Sequence, residues 1–317
     1  MKTMRRGRKR FAAAPFLFYV KDEKIMHRKR IRRSLGSQRI RSGTRRPKGY
    51  SSLSRLDKLL PPRLRFILLI AFSAVFVFSA AMLIRYYAQG AKEEAALKEL
   101  ASVAAVSVEN SVPASGSMSE PEAPVILGQY QKLYAQNADM AGWIKIDGTV
   151  IDYPVMYTAD DFYLSHGFDK AESKSGVPFI DKRCTVEPFG TNTIIYGHHM
   201  QNGTIFAGLG NYKDEDYYKE HQTIRFDTLY EQQEYEIIAV FESRIYRKSD
   251  TVFKHYNFLN AGNEAEFDKY IDGIRALSLY DTGISASYGD KLLTLVTCAY
   301  HTEQGQLVVV ARKTESK

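Results

Sequence analysis

Apolar and polar positions along the chain fall into two distinct regimes. Residues 66–84, FILLIAFSAVFVFSAAMLI, form an uncharged apolar run between Arg65 and Arg85. At about 1.5 Å per helical residue the run reaches roughly 28 Å, enough to cross the hydrocarbon core of a bilayer, and it predicts one transmembrane helix. It is too long and starts too late for the apolar core of a cleaved signal peptide, which spans about 7–15 residues near the N-terminus. Beyond residue 124 the pattern breaks into short apolar runs bounded by Gly, Asp, Asn and other polar residues. GWIKI and VIDYPVMY flank an Asp147-Gly148 turn, a hairpin signature. GVPFI, TNTIIYG, TIRF, YEIIAVFESRIY, KLLTLVTC and QLVVVAR follow. Six to eight short strands with few long helices predict a mostly β domain, a closed or nearly closed barrel.

Two segments keep a helical period instead. VILGQYQKLYAQNADM spaces Ile126, Tyr130, Leu133 and Tyr134 for an amphipathic helix at the start of the domain. NEAEFDKYIDGIRAL sets Phe267, Tyr270, Ile271, Ile274 and Leu277 on one face, and Asn263 with Glu266 resembles a capping box. This second helix carries no group suited to catalysis and is expected to pack on the barrel.

Charge sharpens the division at the membrane. Residues 1–65 hold 22 Lys and Arg against 3 Asp and Glu, so the overall +8 conceals +19 on one side and −11 on the other. Arg55, Lys58, Arg63 and Arg65 cluster before the apolar run, which by the positive-inside rule keeps the N-terminus in the cytoplasm and places the barrel domain outside the cell. The arm is basic and poor in apolar residues, so its composition is that of a disordered segment that sets topology and meets anionic lipid head groups. Aromatics do not interleave with its charges as in single-strand binders, and nucleic acid is not expected as a partner. After the span, AKEEAALKELASVAAVSVEN continues as helix for a few turns, and SVPASGSMSEPEAP is a flexible spacer. The expected organisation is a cytoplasmic arm at 1–65, a transmembrane helix at 66–84, a partly helical extracellular linker at 85–123 and a catalytic domain at 124–317.

Only two cysteines occur, Cys184 and Cys298. Cys298 ends the run TLVTC, where a buried strand delivers its last side chain to a cleft. A lone buried cysteine is commonly an inert small hydrophobe, so reactivity needs a base or cation nearby. Of seven histidines, His27 is on the cytoplasmic side, and His166, His221, His255 and His301 sit in polar segments expected to be solvated. His198 and His199 close the apolar run NTIIYGHHM at Gly197, and Cys298 with His198 is the leading pair. Arg312 ends QLVVVAR; facing the cleft, it would lower the thiol pKa and hold a carbonyl oxygen as charge develops. No Asp or Asn is placed to orient the histidine. A zinc site from His198, His199, Cys298 and His301 matches neither C-x-x-C nor H-E-x-x-H spacing, and no metal or other cofactor is expected. A Cys184–Cys298 disulfide would consume the nucleophile, so Cys184 is expected to be free.

The T-L-x-T-C strand, the preceding Y-G-H-x-M segment and a last strand ending in Arg together resemble the sortases of Gram-positive bacteria. DMAGWIKIDGTVIDYPVMY, NTIIYGHHMQNGTIFAGL, the helix before the cysteine strand and the single N-terminal anchor are similar to class B. Val296 departs from that class, many members of which carry serine there. The resemblance implies a sortase-like closed barrel of about eight strands and a cysteine transpeptidase needing no cofactor. Cys298 would attack a Thr–Gly-type carbonyl in the C-terminal sorting motif of an exported protein and form a thioester. His198 would shuttle protons, Arg312 would hold substrate and oxyanion, and Thr297 and Tyr196 would line the substrate site. The acceptor would be an amine of a peptidoglycan precursor or, in a pilus-building variant, a lysine of the next subunit. Resolution of the thioester by water would make a cysteine endopeptidase, and an inert Cys298 would leave a membrane-anchored peptide-binding module.

Overall fold

The computed structural model describes residues 61–109, 124–299 and 302–314. Residues 1–60 of the basic arm, most of the Ser- and Pro-rich spacer and His301 lie outside the described residues. The first element is a single helix, α1 (Pro62–Glu109), 48 residues long. Its apolar run is exposed on every side, with Phe66, Phe72, Phe76, Phe78 and Ile84 all more than half open. Such an all-round apolar surface is consistent with a single membrane anchor. Among the described residues it is the one helix long and apolar enough to cross a membrane.

Helix α1 continues past the apolar run to Glu109. Residues 91–109 contain no Gly or Pro and are rich in Ala, Leu, Glu and Lys, so nothing in them breaks the helix. It also packs on the domain rather than standing free as a linker. Leu97 and Ala104 are buried, and the Glu93 carboxylate accepts hydrogen bonds from the Ser173 hydroxyl at 3.0 Å, the Ser175 hydroxyl at 2.7 Å and the Ser175 N–H at 3.3 Å.

Helix α2 (Gly128–Gln136) opens the domain and buries Tyr130 and Leu133, two of the residues whose spacing predicts it. Eight strands follow: β1 (Met140–Lys145), β2 (Asp152–Met156), β3 (Phe179–Ile180), β4 (Asn192–Tyr196), β5 (Thr223–Thr228), β6 (Glu234–Arg244), β7 (Leu292–Cys298) and β8 (Gly305–Lys313). They close into a barrel in the order β1-β2-β3-β4-β7-β8-β6-β5, sealed by antiparallel pairing of β1 with β5. Closure removes the sheet edges that would otherwise be open to pairing with other chains. Between β1 and β2 the turn places Gly148 at φ +76°, a conformation that favours glycine.

The pairs β2–β3 and β4–β7 are parallel, and the rest are antiparallel. A short helix, α3 (Glu215–Glu220), precedes β5, and α4 (Glu264–Leu277) lies before β7. Helix α4 buries Phe267, Tyr270, Ile271 and Ile274, while Leu277 is exposed. At its N-terminus Asn263 accepts from the Glu266 N–H at 3.0 Å, and the Glu266 carboxylate reaches back to the Gly262 N–H at 2.9 Å, one residue earlier than a standard capping box. Replacing Asn263 by Ala should therefore lower unfolding stability by about 1 kcal/mol, read as a shifted urea midpoint with unchanged slope. An unmoved midpoint would mean that water satisfies this helix end equally well.

Candidate active site

Strands β4 and β7 run side by side in parallel with Tyr196 opposite Val296, so both reach the same rim of the barrel. Two hydrogen bonds extend the pairing past the last strand residues. The Gly197 N–H donates to the Val296 carbonyl at 3.1 Å, and the Thr297 hydroxyl donates to the Gly197 carbonyl at 2.8 Å. Gly197 is required here because a Cβ would sit 2.6 Å from the Phe206 ring, itself fully buried. The chain can then deliver His198 from β4 and Cys298 from β7 to one cavity of about 410 Å³, whose walls also include Tyr196, Thr297, Arg183 and Gln306.

The two cysteines are both free and differ sharply in setting. Cys184 is 4% exposed, its thiol donates to the Asn192 carbonyl at 3.6 Å, and burial pushes its pKa up to about 11. Cys298 is the one exposed residue of an otherwise buried strand. Atoms around its sulfur still withdraw enough solvent to raise the thiol above its ordinary value.

The ring of His198 is oriented by the backbone. Its Nε2 lies 2.8 Å from the Leu164 carbonyl, and because a carbonyl only accepts, Nε2 carries the proton and Nδ1 holds the lone pair. A main-chain oxygen thus fills the orienting role for which the sequence offers no Asp or Asn. His199 instead bridges to Ile205, with its ring beside Gly210, away from the cavity walls.

The two cations on the cavity wall are tied to carboxylates. Arg183 forks onto Asp181, Nε to Oδ1 at 2.9 Å and Nη2 to Oδ2 at 2.6 Å, and Lys182 pairs with Asp161 at 3.2 Å. Burial opposes ionisation of Asp181, but the hydrogen bonds and charge of Arg183 outweigh it and hold the carboxyl below its ordinary value. Tyr196 and Thr297 line the cavity as expected of substrate-site residues, yet both hydroxyls are committed within the protein. Tyr196 donates to Asp181 at 3.3 Å, and Thr297, 2% exposed, holds Gly197.

Arg312 is not at the site. In the β7–β8 hairpin Cys298 faces Gln306, whereas Arg312 faces Leu292. Six residues of strand, at about 3.4 Å each, put Arg312 roughly 20 Å from the thiol, at the far end of the barrel. There it meets Glu236 at 3.2 Å and Asp290 at 4.0 Å. Arg312 draws attention in the sequence because the last strand ends in it, which is part of the family resemblance. What decides the matter is the register, in which the short connection after Cys298 brings the start of β8, not its end, opposite the thiol. His255 needs a second correction. It is fully buried with neither ring nitrogen bonded, and burial pushes it down to about 4, so it is an uncharged core group. His166 stacks on Phe162 and His221 on Tyr217.

The chain is similar to known proteins. A family profile described as Sortase domain matches residues 144–314. The chain is 34% identical over 186 residues to Sortase B of Listeria monocytogenes, covering 58% of this chain and 72% of that protein. It is 28% identical over 187 residues to Sortase B of Staphylococcus aureus, covering 58% and 74%. Among solved structures, sortase B from B. anthracis in complex with AAEK1 superposes with a TM-score of 0.59 at 26% identity, over 73% of this chain and 100% of that one.

Two outcomes are expected for the thiols. Iodoacetamide should modify Cys298 far faster than Cys184, at a rate still climbing above about pH 8.5, because the reactive thiolate forms only above a raised pKa. A plateau at neutral pH would show a charge partner for the sulfur. Arg312→Ala should leave the alkylation rate of Cys298 unchanged, and a clear fall would return Arg312 to the site.

Proposed function

The chain belongs to the sortase family, class B, whose members are cysteine transpeptidases, and from that premise we propose that Cys298 is the nucleophile and His198 the acid–base group of its reaction. The observation that carries this reading is the pairing of β4 with β7, which brings the chain's one exposed cysteine into a single cavity with a histidine whose tautomer is set.

The lone pair on His198 Nδ1 takes the proton of the Cys298 thiol as the sulfur attacks the carbonyl carbon of a Thr–Gly-type bond in the C-terminal sorting motif of an exported protein, so the imidazole becomes protonated. The carbonyl electron pair moves to oxygen, then returns as the C–N bond breaks. Protonated His198 gives a proton to the departing amine, leaving a thioester on Cys298. An acceptor amine attacks that thioester, His198 takes a proton from it, and the amide forms as the thiolate departs. The thioester keeps most of the acyl reactivity, so the exchange needs no outside energy. The acceptor is an amine of a cell wall precursor. Helix α1 anchors the protein with its N-terminus in the cytoplasm and the barrel outside, a reading supported by the exposed apolar run and by the excess of positive charge before it.

With the full chain in detergent and quenched peptides carrying varied Thr–Gly motifs, cleavage should leave an acyl adduct on Cys298, and an added amine should convert it to an amide product seen by mass spectrometry. Cys298→Ala and His198→Ala should each abolish product while the domain stays folded, and Arg312→Ala should keep activity within about twofold. Cleavage that ignores the amine would make the protein a peptidase. Product formed by Cys298→Ala would end the reading.

A further inference from the structure

Gln306 is the second residue of β8 and the cross-strand partner of Cys298. Directly opposed residues in an antiparallel pair project to the same face with Cβ atoms about 4.5–5.5 Å apart, so the carboxamide and the thiol share one side of the sheet. Both line the cavity that holds His198. Gln306 is only 9% exposed, and its Oε1 is buried with no hydrogen-bond partner among the described residues. An orphaned buried polar atom costs on the order of 1–3 kcal/mol unless something that binds there satisfies it. A carboxamide offers one acceptor and two donor hydrogens, the complement of a peptide group. Among the described residues lining the cavity, the Arg and Lys side chains are already paired, Arg183 with Asp181 and Lys182 with Asp161, and Arg312 is at the other end of the strand.

We propose that Gln306 is the catalytic residue that receives the scissile carbonyl of the bound peptide. Its Nε2 donates to the carbonyl oxygen, and its Oε1 accepts a backbone N–H of the same peptide. This assignment rests on Cys298 being the acyl acceptor. When the carbon–sulfur bond forms, the carbonyl electron pair passes to oxygen and the Nε2 hydrogen bond strengthens. When the pair returns, the C–N bond breaks and the amine leaves with the proton of His198. A neutral donor stabilises the oxyanion by a directed hydrogen bond and leaves the thiol without a cationic neighbour, which agrees with a thiol raised by burial alone.

The test compares two probes of Cys298 in the full chain in detergent, with Cys298→Ala as the blank. Acylation by p-nitrophenyl acetate passes through an oxyanion, whereas alkylation by iodoacetamide does not. Gln306→Met, close in shape but without donors, should slow acylation at least about tenfold while alkylation stays within about twofold, the range in which loss of one oxyanion donor is felt. Gln306→Glu, which accepts but does not donate, should slow acylation at least as much and also slow alkylation, because its charge raises the thiol further. Gln306→Arg restores donors and should regain acylation. With peptide, Gln306→Met should lower kcat more than it raises KM. Circular dichroism checks that each variant is folded.

Equal acylation by wild type and Gln306→Met overturns the proposal, as does a parallel fall in both probes, which would mark a structural role. No acylation of the wild-type thiol would also overturn it. If wild type cleaves peptides and Gln306→Met does so equally well, only the role of Gln306 fails. If acylation depends on Gln306 but no peptide is cleaved, the carbonyl site stands and the transpeptidase reading falls.

Discussion

The site depends on one strand pairing, the parallel contact of β4 with β7 and its extension through Gly197. Thr297 and Gly197 are 100 residues apart in the chain, and the hydroxyl-to-carbonyl bond between them clamps the two strand ends at one rim. Parallel neighbours cannot be joined by a tight turn, so everything between them, including β5, β6 and α4, forms part of the crossover that permits the contact. The buried ring of Phe206 leaves no room for a side chain at Gly197, which makes this close approach specific to glycine. The relative placement of Cys298 and His198 is therefore a property of the barrel rather than of any local loop.

The cavity is chemically restrained. Its cations are neutralised by carboxylates, its two candidate hydroxyls are spent on Asp181 and Gly197, and its thiol is left neutral by burial. What stays open is a histidine with a set tautomer, a thiol and a carboxamide. For the proposed reaction, such a setting favours placement of partial charges, which costs no reorganisation when the transition state forms, over a pre-ionised nucleophile.

Helix α1 is unbroken from its apolar run to the stretch that packs on the barrel domain, over residues 62–109. The Glu93 carboxylate, accepting three hydrogen bonds from Ser173 and Ser175, fixes the helix to the segment that leads into β3. A charged acceptor with several donors is among the stronger surface attachments a protein can make. The loop after His198 also lies close to this helix, since Met200 and Asn202 share a cavity with Tyr86 and Gly90.

The sequence by itself determined what depends on neighbours along the chain. An uncharged apolar run of bilayer length, alternating short strands bounded by turn residues, and two helical periods are local patterns, and all eight strands and helices α2 and α4 lie where those patterns put them, whereas the short α3 was not among them. The prominence of Cys298 and His198 followed in the same way, because each ends an apolar strand where a side chain emerges. Tertiary structure alone decided what depends on register and packing. Which residue of β8 faces Cys298 follows from the length and path of the connection and the pairing it allows, and a strand's composition carries no such count, so Arg312 and Gln306 exchanged places. The burial of His255 and the docking of α1 were likewise invisible, because a polar neighbourhood in sequence says nothing about which distant side chains close over it in space.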